Sequence, residues 1–503
     1  MRIPALFILL IIFTTGCSSF KSSFDPAKKY SSEQLEKDYS IFQNILQESH
    51  PGLYWYTPKD SMNYYFNWGK EQIRDSLTEP EFKQVLGYVL AKMDCGHTTV
   101  RSSKKYSNYL DTLKNEKFFP LSLKLWSDTT VVAANLNRKD SILKRGTIIR
   151  AIDHKSMQQI TDTLFKFISS DGHNMTHKFQ SLSNRGVFGS FYSNVYGLAN
   201  NYSIDYLDSA GKTHSITIPV YDPAKHSFNR AAIRRFIRPT KKQRKQMNLQ
   251  NMRSLRIDAN NQTAFLDVNT FGRGYQLKKF FKQSFRSIRK HHVDYLVVDV
   301  RGNGGGSVTN STLLSKYLVD QKFKVCDSLY AIRRKSHYKS YIEKYFLNRL
   351  FMIAFTRKKQ DGHFHFGYFE RHRFKPKQKN RFRGKSYILI GGNSFSATTL
   401  FTNSVIKQDN VTVVGEETGG GSYGNTAWLI PDVKLPETKL EFRLPLFRLV
   451  MDKEAVKTGH GIFPEVQVLP TTDAIRRNAD YKMDKAMELI KEDKNEKLKT
   501  KSP

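Results

Sequence analysis

A serine at the start of a predicted helix is the side chain best placed for nucleophilic chemistry. Residues 386–390 form a short apolar run typical of a buried strand, residues 391–396 (Gly-Gly-Asn-Ser-Phe-Ser) predict a tight loop, and residues 397–407 predict a helix. A strand, sharp loop and helix in this order lift one side chain clear of the edge of a sheet and direct helix amides at whatever binds there. Ser396 occupies that position.

Two further glycine-rich loops follow predicted strands. Residues 301–306 (Arg-Gly-Asn-Gly-Gly-Gly) come after the apolar strand 295–300, and residues 415–421 come after the strand 411–414. A dinucleotide site is excluded for the first loop, since its third glycine would fall at Ser307 and no acidic residue closes the next strand at the expected distance. A phosphate loop is excluded because no Lys-Ser/Thr pair follows the glycines. The remaining alternative is that these glycines only turn the chain.

The three blocks resemble, in order and spacing, the signature blocks of the S41 serine peptidases, the group of tail-specific and C-terminal processing proteases with tricorn-like members. The resemblance covers residues 256–470. In that family the nucleophilic serine opens a helix and the glycine of the third block follows nineteen positions later, as Ser396 and Gly415 do here. The resemblance implies a ClpP/crotonase-like α/β catalytic core, acyl-enzyme cleavage of peptides or proteins, and no metal or organic cofactor.

One departure from the family pattern concerns the general base. The processing proteases use a lysine that would fall at position 421, where this sequence has Gly421. Tricorn-like members use a histidine from an upstream motif, which residues 93–100 (Met-Asp-Cys-Gly-His-Thr-Thr-Val) resemble. The resemblance therefore implies His97 as the base, since an imidazole can accept the serine proton and return it to the leaving amine. The alternative is a histidine at a helix end with no catalytic role.

The resemblance also implies which amides bind the oxyanion. The family uses backbone N–H groups beside the nucleophile and in the first glycine block, which correspond here to Ala397 and Gly305, with Gly304 as the alternative. The carboxylate that orients the histidine has no match at the family's position. Candidates for that role are Glu417, Glu454 and Asp94.

The remaining patterns predict a multidomain chain of mixed α/β class. Capped, amphipathic helices indicate an N-terminal helical domain, and short strands around one glycine followed by a helix loosely resemble a PDZ-type domain, which captures a peptide as an added strand. The predicted regions are a signal peptide at 1–17, the helical domain at 18–100, the PDZ-like domain at 115–222, a basic linker at 223–255, the catalytic domain at 256–470 with a basic aromatic insertion at 327–384, and a C-terminal helix and tail at 471–503.

The amino terminus predicts export. Arg2 precedes the apolar run at residues 5–13 and then Thr-Thr-Gly-Cys17, which resembles a bacterial lipoprotein signal in which the cysteine is lipidated. We therefore expect attachment to a membrane of the cell envelope, facing the periplasm or the exterior. An ordinary signal peptide cut nearby is the alternative. Cys95 and Cys326 are too few for a disulfide framework.

A formal net charge of +35 favours adhesion to anionic surfaces. We nevertheless expect no nucleic-acid partner, since the basic residues are scattered and no zinc-finger spacing or other specific reader motif occurs. His363 and His365 would share one face of a strand, yet without a third ligand they favour a surface hairpin over a metal site.

Two hypotheses follow. The first is a secreted serine peptidase, with the insertion as a lid over the cleft. The second is a peptide- or ligand-binding lipoprotein that keeps the fold without catalysis, which the missing lysine and unassigned acid leave open.

Overall fold

A computed structural model describes residues 24–113, 116–225 and 239–499. The predicted signal peptide and Cys17 lie outside this part of the chain. Within the described residues, no helix has the length and hydrophobicity that crossing a bilayer requires. The mixed α/β, multidomain class predicted from the sequence is confirmed.

The N-terminal region is helical. Its elements are β1 (Lys29–Tyr30), α1 (Ser32–Ser49), α2 (Lys59–Glu71), β2 (Leu77–Thr78), α3 (Glu79–Ala91), β3 (Val100–Arg101) and α4 (Lys104–Thr112). Reciprocal capping boxes start α1, through Ser31 and Gln34, and α3, through Thr78 and Glu81, as their spacing predicts. The apolar face of α3 is buried against α1 and α2, and the shared core continues into residues 433–451 of the catalytic region.

The middle region is an antiparallel sheet with helices. Its elements are β4 (Leu121–Trp126), β5 (Thr129–Asn135), β6 (Ile148–Ile152), β7 (Lys155–Ser156), α5 (Met157–Phe165), α6 (Met175–Ser183), α7 (Val187–Tyr196), β8 (Asn201–Leu207) and β9 (Thr213–Pro219). The strand order is β4-β5-β6-β8-β9, with β7 paired to β6. At the edge strand β4, the Leu125 N–H donates to the Ser183 hydroxyl of α6 at 2.9 Å, so this helix covers part of that edge.

The predicted linker at 223–255 contains regular structure. Helix α8 (Lys241–Met252) begins at a Thr240–Gln243 capping box, and β10 (Arg253–Asp258) pairs antiparallel with β11 (Thr263–Val268). The linker prediction was therefore wrong for its last part, because three of its residues already belong to the catalytic sheet. The side chains of α8 do project into solvent, as expected for an exposed connector.

The catalytic sheet has the strand order β10-β11-β12-β16-β17-β22. Its further elements are α9 (Leu277–Lys290), β12 (Tyr295–Asp299), α10 (Val308–Leu318), β16 (Lys385–Ile390), α13 (Ala397–Val405), β17 (Val411–Gly415) and β22 (Val466–Gln467). Strands β11, β12, β16, β17 and β22 run parallel. Their apolar side chains are buried on both faces, as the continuous hydrophobic runs predict.

The insertion belongs to a second sheet of the catalytic region. The elements between α10 and β22 are β13 (Ser328–Ala331), α11 (Tyr345–Phe355), β14 (Arg357–Lys358), β15 (Phe364–His365), α12 (Gly367–Arg371), β18 (Gly424–Ala427), β19 (Asp432–Lys434), β20 (Glu441–Arg443) and β21 (Phe447–Val450). This sheet has the order β14-β15-β13-β21-β18. The insertion also contacts α1, where Glu48 accepts hydrogen bonds from Ser336 and His337. Its role as a lid stays a prediction.

The C-terminal segment forms two helices where one was predicted, α14 (Thr472–Arg477) and α15 (Tyr481–Lys499). Asn478 separates them in a left-handed conformation with φ of 56°, which asparagine tolerates better than most residues. Helix α15 continues into the Lys-rich tail as far as Lys499.

Candidate active site

Ser396 is the N-cap residue of α13 and has φ of 57° and ψ of −119°. Residues other than glycine seldom adopt a positive φ, and such strain persists only where the surroundings enforce it. The Ser396 side chain makes no capping hydrogen bond to its helix. Its hydroxyl is therefore held at a sharp turn after β16 and is available for chemistry, as the strand–loop–helix pattern predicts.

The glycine-rich blocks meet beside this turn because they follow neighbouring parallel strands. Strand β16 lies between β12 and β17, so the loops after all three strands emerge at one edge of the sheet. Phe395 donates its N–H to the Asn303 carbonyl at 3.1 Å, and Gly420 donates its N–H to the Ser394 carbonyl at 3.2 Å. The three blocks that the sequence singled out thus surround Ser396.

Gly305 lies directly against the nucleophile turn. It has φ of 100°, and a Cβ atom there would lie 2.8 Å from Ser396 Cβ and 3.0 Å from the Ala397 nitrogen. Its own N–H, however, donates to Asn303 Oδ1 at 2.9 Å. Gly304, by contrast, is exposed and has open space where a side chain would be. Among the described residues, neither Gly304 nor Ala397 uses its N–H in a hydrogen bond.

His97 is buried beside the same turn, with 5% of its surface exposed. Its ring lies 4.7 Å, centroid to centroid, from the ring of Phe395, the residue before Ser396. Neither ring nitrogen has a hydrogen-bond partner within the described part of the chain. A buried imidazole with both nitrogens unsatisfied is costly to maintain, and such groups mark sites where a further partner is expected.

The loop that carries His97 is fixed by contacts with the catalytic region and with His50, which directly follows α1. Strand β3, just after the loop, pairs with β20. Cys95 Sγ lies 2.7 Å from the Thr426 hydroxyl of β18, and Thr98 Oγ1 lies 2.8 Å from His50 Nε2. Burial raises the pKa of the Cys95 thiol to about 11, so it remains protonated. These contacts explain how a residue of the helical region comes to lie against Phe395, the residue before Ser396.

Asp171, in the loop between α5 and α6, is the carboxylate nearest to His97. Its Oδ1 atom lies 3.8 Å from His97 Nδ1, and both side chains are buried. The Gly96 N–H donates to Oδ1 at 2.9 Å, and the Gly421 N–H donates to Oδ2 at 3.3 Å. Asp171 therefore connects the histidine loop to the third glycine-rich block, at Gly421, the position where the resemblance to the processing proteases would place a lysine.

No sequence pattern singled out Asp171. The three acids that were candidates for orienting His97 make other contacts or are exposed. Glu417 accepts hydrogen bonds from the Thr176 hydroxyl at 2.8 Å and from the Gly461 N–H at 2.7 Å. Glu454 is exposed. Asp94 contacts Thr57 and His173, and burial raises the pKa of its carboxyl group. The Asp-Gly dipeptide at 171–172 offered only a turn signal, far from His97 in sequence.

A cavity of about 320 Å³ includes Asp94 in its wall. Lys92, Lys166 and Lys178 also line it. Burial lowers the pKa of Lys92 and of Lys178, and the nearby Asp94 acts in the opposite direction.

The two histidines of the insertion occupy a hairpin, as predicted, but one of them is buried. His365 Nδ1 lies 2.6 Å from Glu370 Oε1, and its Nε2 lies 2.8 Å from Asp361 Oδ2. His363 stacks on Tyr330. The described residues contain no cluster of three or more histidine, cysteine or acidic side chains arranged to hold a metal ion.

Comparison with known proteins supports the resemblance of the three glycine-rich blocks to those of serine peptidases. Residues 262–468 match the sequence model of peptidase family S41. None of the curated proteins matches the chain. Among solved structures, mature CPAF complexed with lactacystin is 13% identical with a TM-score of 0.63, over 92% of this chain and 98% of that chain. A crystal structure of mature CPAF gives the same identity and TM-score, over 92% of this chain and 97% of that chain. At such low identity these likenesses show a shared fold.

The fold, the serine turn after β16 and the family match define a serine peptidase, an enzyme that acts on peptides or proteins. Residues 262–468 carry the sequence pattern of peptidase family S41, which confirms the resemblance found in the three glycine-rich blocks.

Proposed function

We propose that the protein hydrolyses peptide bonds of envelope or secreted proteins, with Ser396 as nucleophile, His97 as general base and Asp171 as the residue that orients His97. The observation that carries this proposal is the position of His97. Its imidazole is buried against Phe395 without a hydrogen-bond partner among the residues that the structure describes, and Asp171 faces its Nδ1 atom at 3.8 Å.

In this mechanism, the Ser396 hydroxyl attacks the carbonyl carbon of the substrate while Nε2 of His97 accepts the hydroxyl proton. Asp171 stabilises the imidazolium through Nδ1–H, after a small movement that shortens the present 3.8 Å separation to a hydrogen bond. The imidazolium then gives its proton to the leaving amine, and a water molecule attacks the acyl-enzyme with His97 again as base. No other proton acceptor is needed.

The oxyanion is stabilised by the N–H groups of Ala397 and Gly304. Both are without a hydrogen bond within the described residues, whereas the Gly305 N–H is already engaged by Asn303. This arrangement favours the alternative register of the first glycine block, with Gly305 serving instead as the small residue against which the Ser396 turn packs. Donors that are in place before the reaction stabilise the charge at little reorganisation cost.

We also propose that the enzyme works at the cell envelope, attached through a lipid on Cys17. The support is the sequence of the amino terminus, with its apolar run and Thr-Thr-Gly-Cys17. The sheet of the middle region would bind peptide as an added strand, in the manner of a PDZ-like domain. Growth with a labelled fatty acid tests the anchor, since incorporation should be lost in a Cys17→Ser variant and retained in a Cys95→Ser variant.

A serine-reactive fluorophosphonate probe tests the catalytic assignment. We expect covalent labelling of the wild type, no labelling of Ser396→Ala, and full labelling of Ser209→Ala, whose serine lies in an exposed turn. His97→Ala should reduce labelling strongly, because the hydroxyl then lacks its base. If Ser396→Ala labels like the wild type, the assignment is wrong. If no protein labels and no peptide is cleaved, the binding lipoprotein without catalysis is the better account.

A further inference from the structure

The outer face of helix α11 exposes a continuous apolar stripe. Five of its large hydrophobic side chains are between 44% and 71% exposed, namely Phe346, Leu347, Leu350, Ile353 and Phe355. Residues 346, 350 and 353 are spaced for one face of a helix, and residue 347 adjoins them. Single exposed apolar side chains are ordinary, but a contiguous patch of this kind marks a surface that meets another apolar phase.

The opposite face of α11 is fixed to the protein. Met352 is buried, and Tyr345 and Phe351 pack against the core shared with the N-terminal helices. Just past the helix end, the Thr356 hydroxyl donates to the Met352 carbonyl at 2.6 Å and accepts from Arg334 Nε at 2.9 Å. The helix is thus held with its apolar stripe facing outward, so the side chains of the stripe do not pack into the core.

The charges around the stripe are mostly basic, although Lys344 pairs with the exposed Glu343 at 2.9 Å. From residue 344 to residue 360 the sequence has five basic residues and no acidic residue. Lys344 lies just before the helix, and Arg357 and Lys358 follow its end, all with exposed side chains. An apolar helix face with lysine and arginine at its margins is typical of helices that lie in the interface of an anionic bilayer, where the apolar side chains enter the acyl region and the cations contact headgroups.

We propose that α11 is a membrane-binding surface, which lies on an anionic lipid bilayer with Phe346, Leu347, Leu350 and Ile353 inserted. The charge pattern favours this occupant over a second copy of the chain, since two such faces would bring like charges together. It also favours lipid over a nucleic acid, which would leave the aliphatic side chains unburied. This surface would hold the peptidase against the membrane independently of any lipid on Cys17 and of the catalytic assignment.

A fluorescent label on the stripe tests the proposal locally. Leu347→Cys and, as control, Met247→Cys are prepared in the full chain with Cys17→Ser and labelled with an environment-sensitive nitrobenzoxadiazole dye. Met247 is 53% exposed on α8, away from the stripe, while Cys95 and Cys326 are buried. With vesicles of equimolar phosphatidylcholine and phosphatidylglycerol, we expect a blue shift and protection from an aqueous quencher for the label at 347 only.

Two double variants test which side chains contribute to the affinity for the vesicles. Phe346→Glu with Leu350→Glu should weaken the vesicle-dependent signal of the label at 347 by about tenfold or more, because two buried apolar side chains are lost. Leu198→Glu with Met247→Glu should leave it unchanged. A shift without vesicles that grows with protein concentration would identify a second copy as the occupant. Equal signals at 347 and 247, or equal binding to vesicles of phosphatidylcholine alone, would also overturn the proposal.

Discussion

Oδ1 of Asp171 faces Nδ1 of His97 at 3.8 Å, and both side chains are buried. The same carboxylate accepts the N–H groups of Gly96 and Gly421. Three separate parts of the chain thus meet at one acid: the histidine loop, the loop between α5 and α6, and the third glycine-rich block. The orienting role proposed for Asp171 depends on this arrangement, since a carboxylate beside the ring can accept Nδ1–H and stabilise a catalytic imidazolium.

Replacement of this acid by its amide should therefore impair catalysis more than folding. We expect Asp171→Asn to lower kcat by about 10²- to 10⁴-fold with a smaller change in KM, since the imidazolium loses its counter-charge. Asp94→Asn is the matched control. Asp94 lies three residues before His97 in the cavity wall, and its ion pair is with His173. Peptide cleavage and thermal unfolding are measured for both. Equal losses of kcat in the two variants would remove Asp171 from the mechanism.

The two neighbouring glycines of the first block should respond differently to an added methyl group. In Gly305→Ala the new Cβ would lie 2.7 Å from the Phe395 carbonyl oxygen and 2.8 Å from Ser396 Cβ, at a φ of 100°. We expect a loss of about 1–3 kcal/mol in stability and a loss of most activity, because the Ser396 turn must shift. Gly304→Ala has open space and keeps its N–H, so its kcat should change less than about threefold. Urea unfolding and kcat distinguish the two, and a harmless Gly305→Ala would contradict the packing argument.

The strands of the catalytic sheet could be predicted because each carries its own signal. The apolar runs at 295–300, 386–390 and 411–414 correspond to β12, β16 and β17 within one residue, since strands buried on both faces need continuous hydrophobic sequence. Ser396 was found for a related reason. The glycines and small residues that build a sharp turn are contiguous in sequence, so the turn and its serine are visible together.

Other features depended on signals that were weak or absent. The Thr240–Gln243 capping box was a legible start for α8 but lay within a strongly basic stretch interpreted as connector. Asn478 could have divided the C-terminal helix, since asparagine is favoured at a left-handed helix end. Asp171 had no signal of its own, because its role depends on which loops the tertiary fold brings together. The register of Gly304 and Gly305 likewise depends on the Asn303 side chain, which sequence spacing does not reveal.

The buried His50 predicts sensitivity to acid. Its Nδ1 accepts the Gly52 N–H at 3.2 Å, and its Nε2 donates to Thr98 at 2.8 Å, which requires the neutral ring. Burial above all, and also the nearby His97, lower its pKa to about 3. The unfolded chain takes up this proton near pH 6.5 and the folded chain does not, so stability is complete above that pH and declines by about 1.4 kcal/mol per unit as the pH falls toward 3.

Urea unfolding at pH 7 and pH 5 measures how much His50 contributes to the pH dependence of the free energy of unfolding. We expect the wild type to lose about 2 kcal/mol from this residue between those two values. His50→Gln should remove that part of the pH dependence, although it lowers stability at pH 7. His214→Gln, which changes a histidine on the exposed β8–β9 hairpin, should keep the wild-type dependence. A His50→Gln variant with an unchanged difference between pH 7 and pH 5 would show that His50 is not responsible.

Helix α15 is joined to the catalytic sheet by a buried ion pair between Lys482 and Glu416. Glu416 directly follows β17, and Lys482 Nζ also lies 3.4 Å from the Ile390 carbonyl at the end of β16, the strand that leads to Ser396. Burial lowers the pKa of Lys482, and the ion pair with Glu416 opposes that effect. Lys482→Met should therefore lower the free energy of unfolding by about 3–5 kcal/mol, because it leaves a buried carboxylate without its partner.

The double variant Lys482→Met with Glu416→Gln should recover a large part of that loss, since no uncompensated charge remains. Lys485→Met is the control, as Lys485 lies on the same helix in a more exposed pair with Glu488 and should cost less than about 1 kcal/mol. Urea denaturation of the wild type, Lys482→Met, Glu416→Gln, the double variant and Lys485→Met gives the five free energies of unfolding. If the effects of Lys482→Met and Glu416→Gln simply add, the two charges are not coupled, and α15 is held to the sheet by its apolar contacts through Ala486 and Ile490 instead.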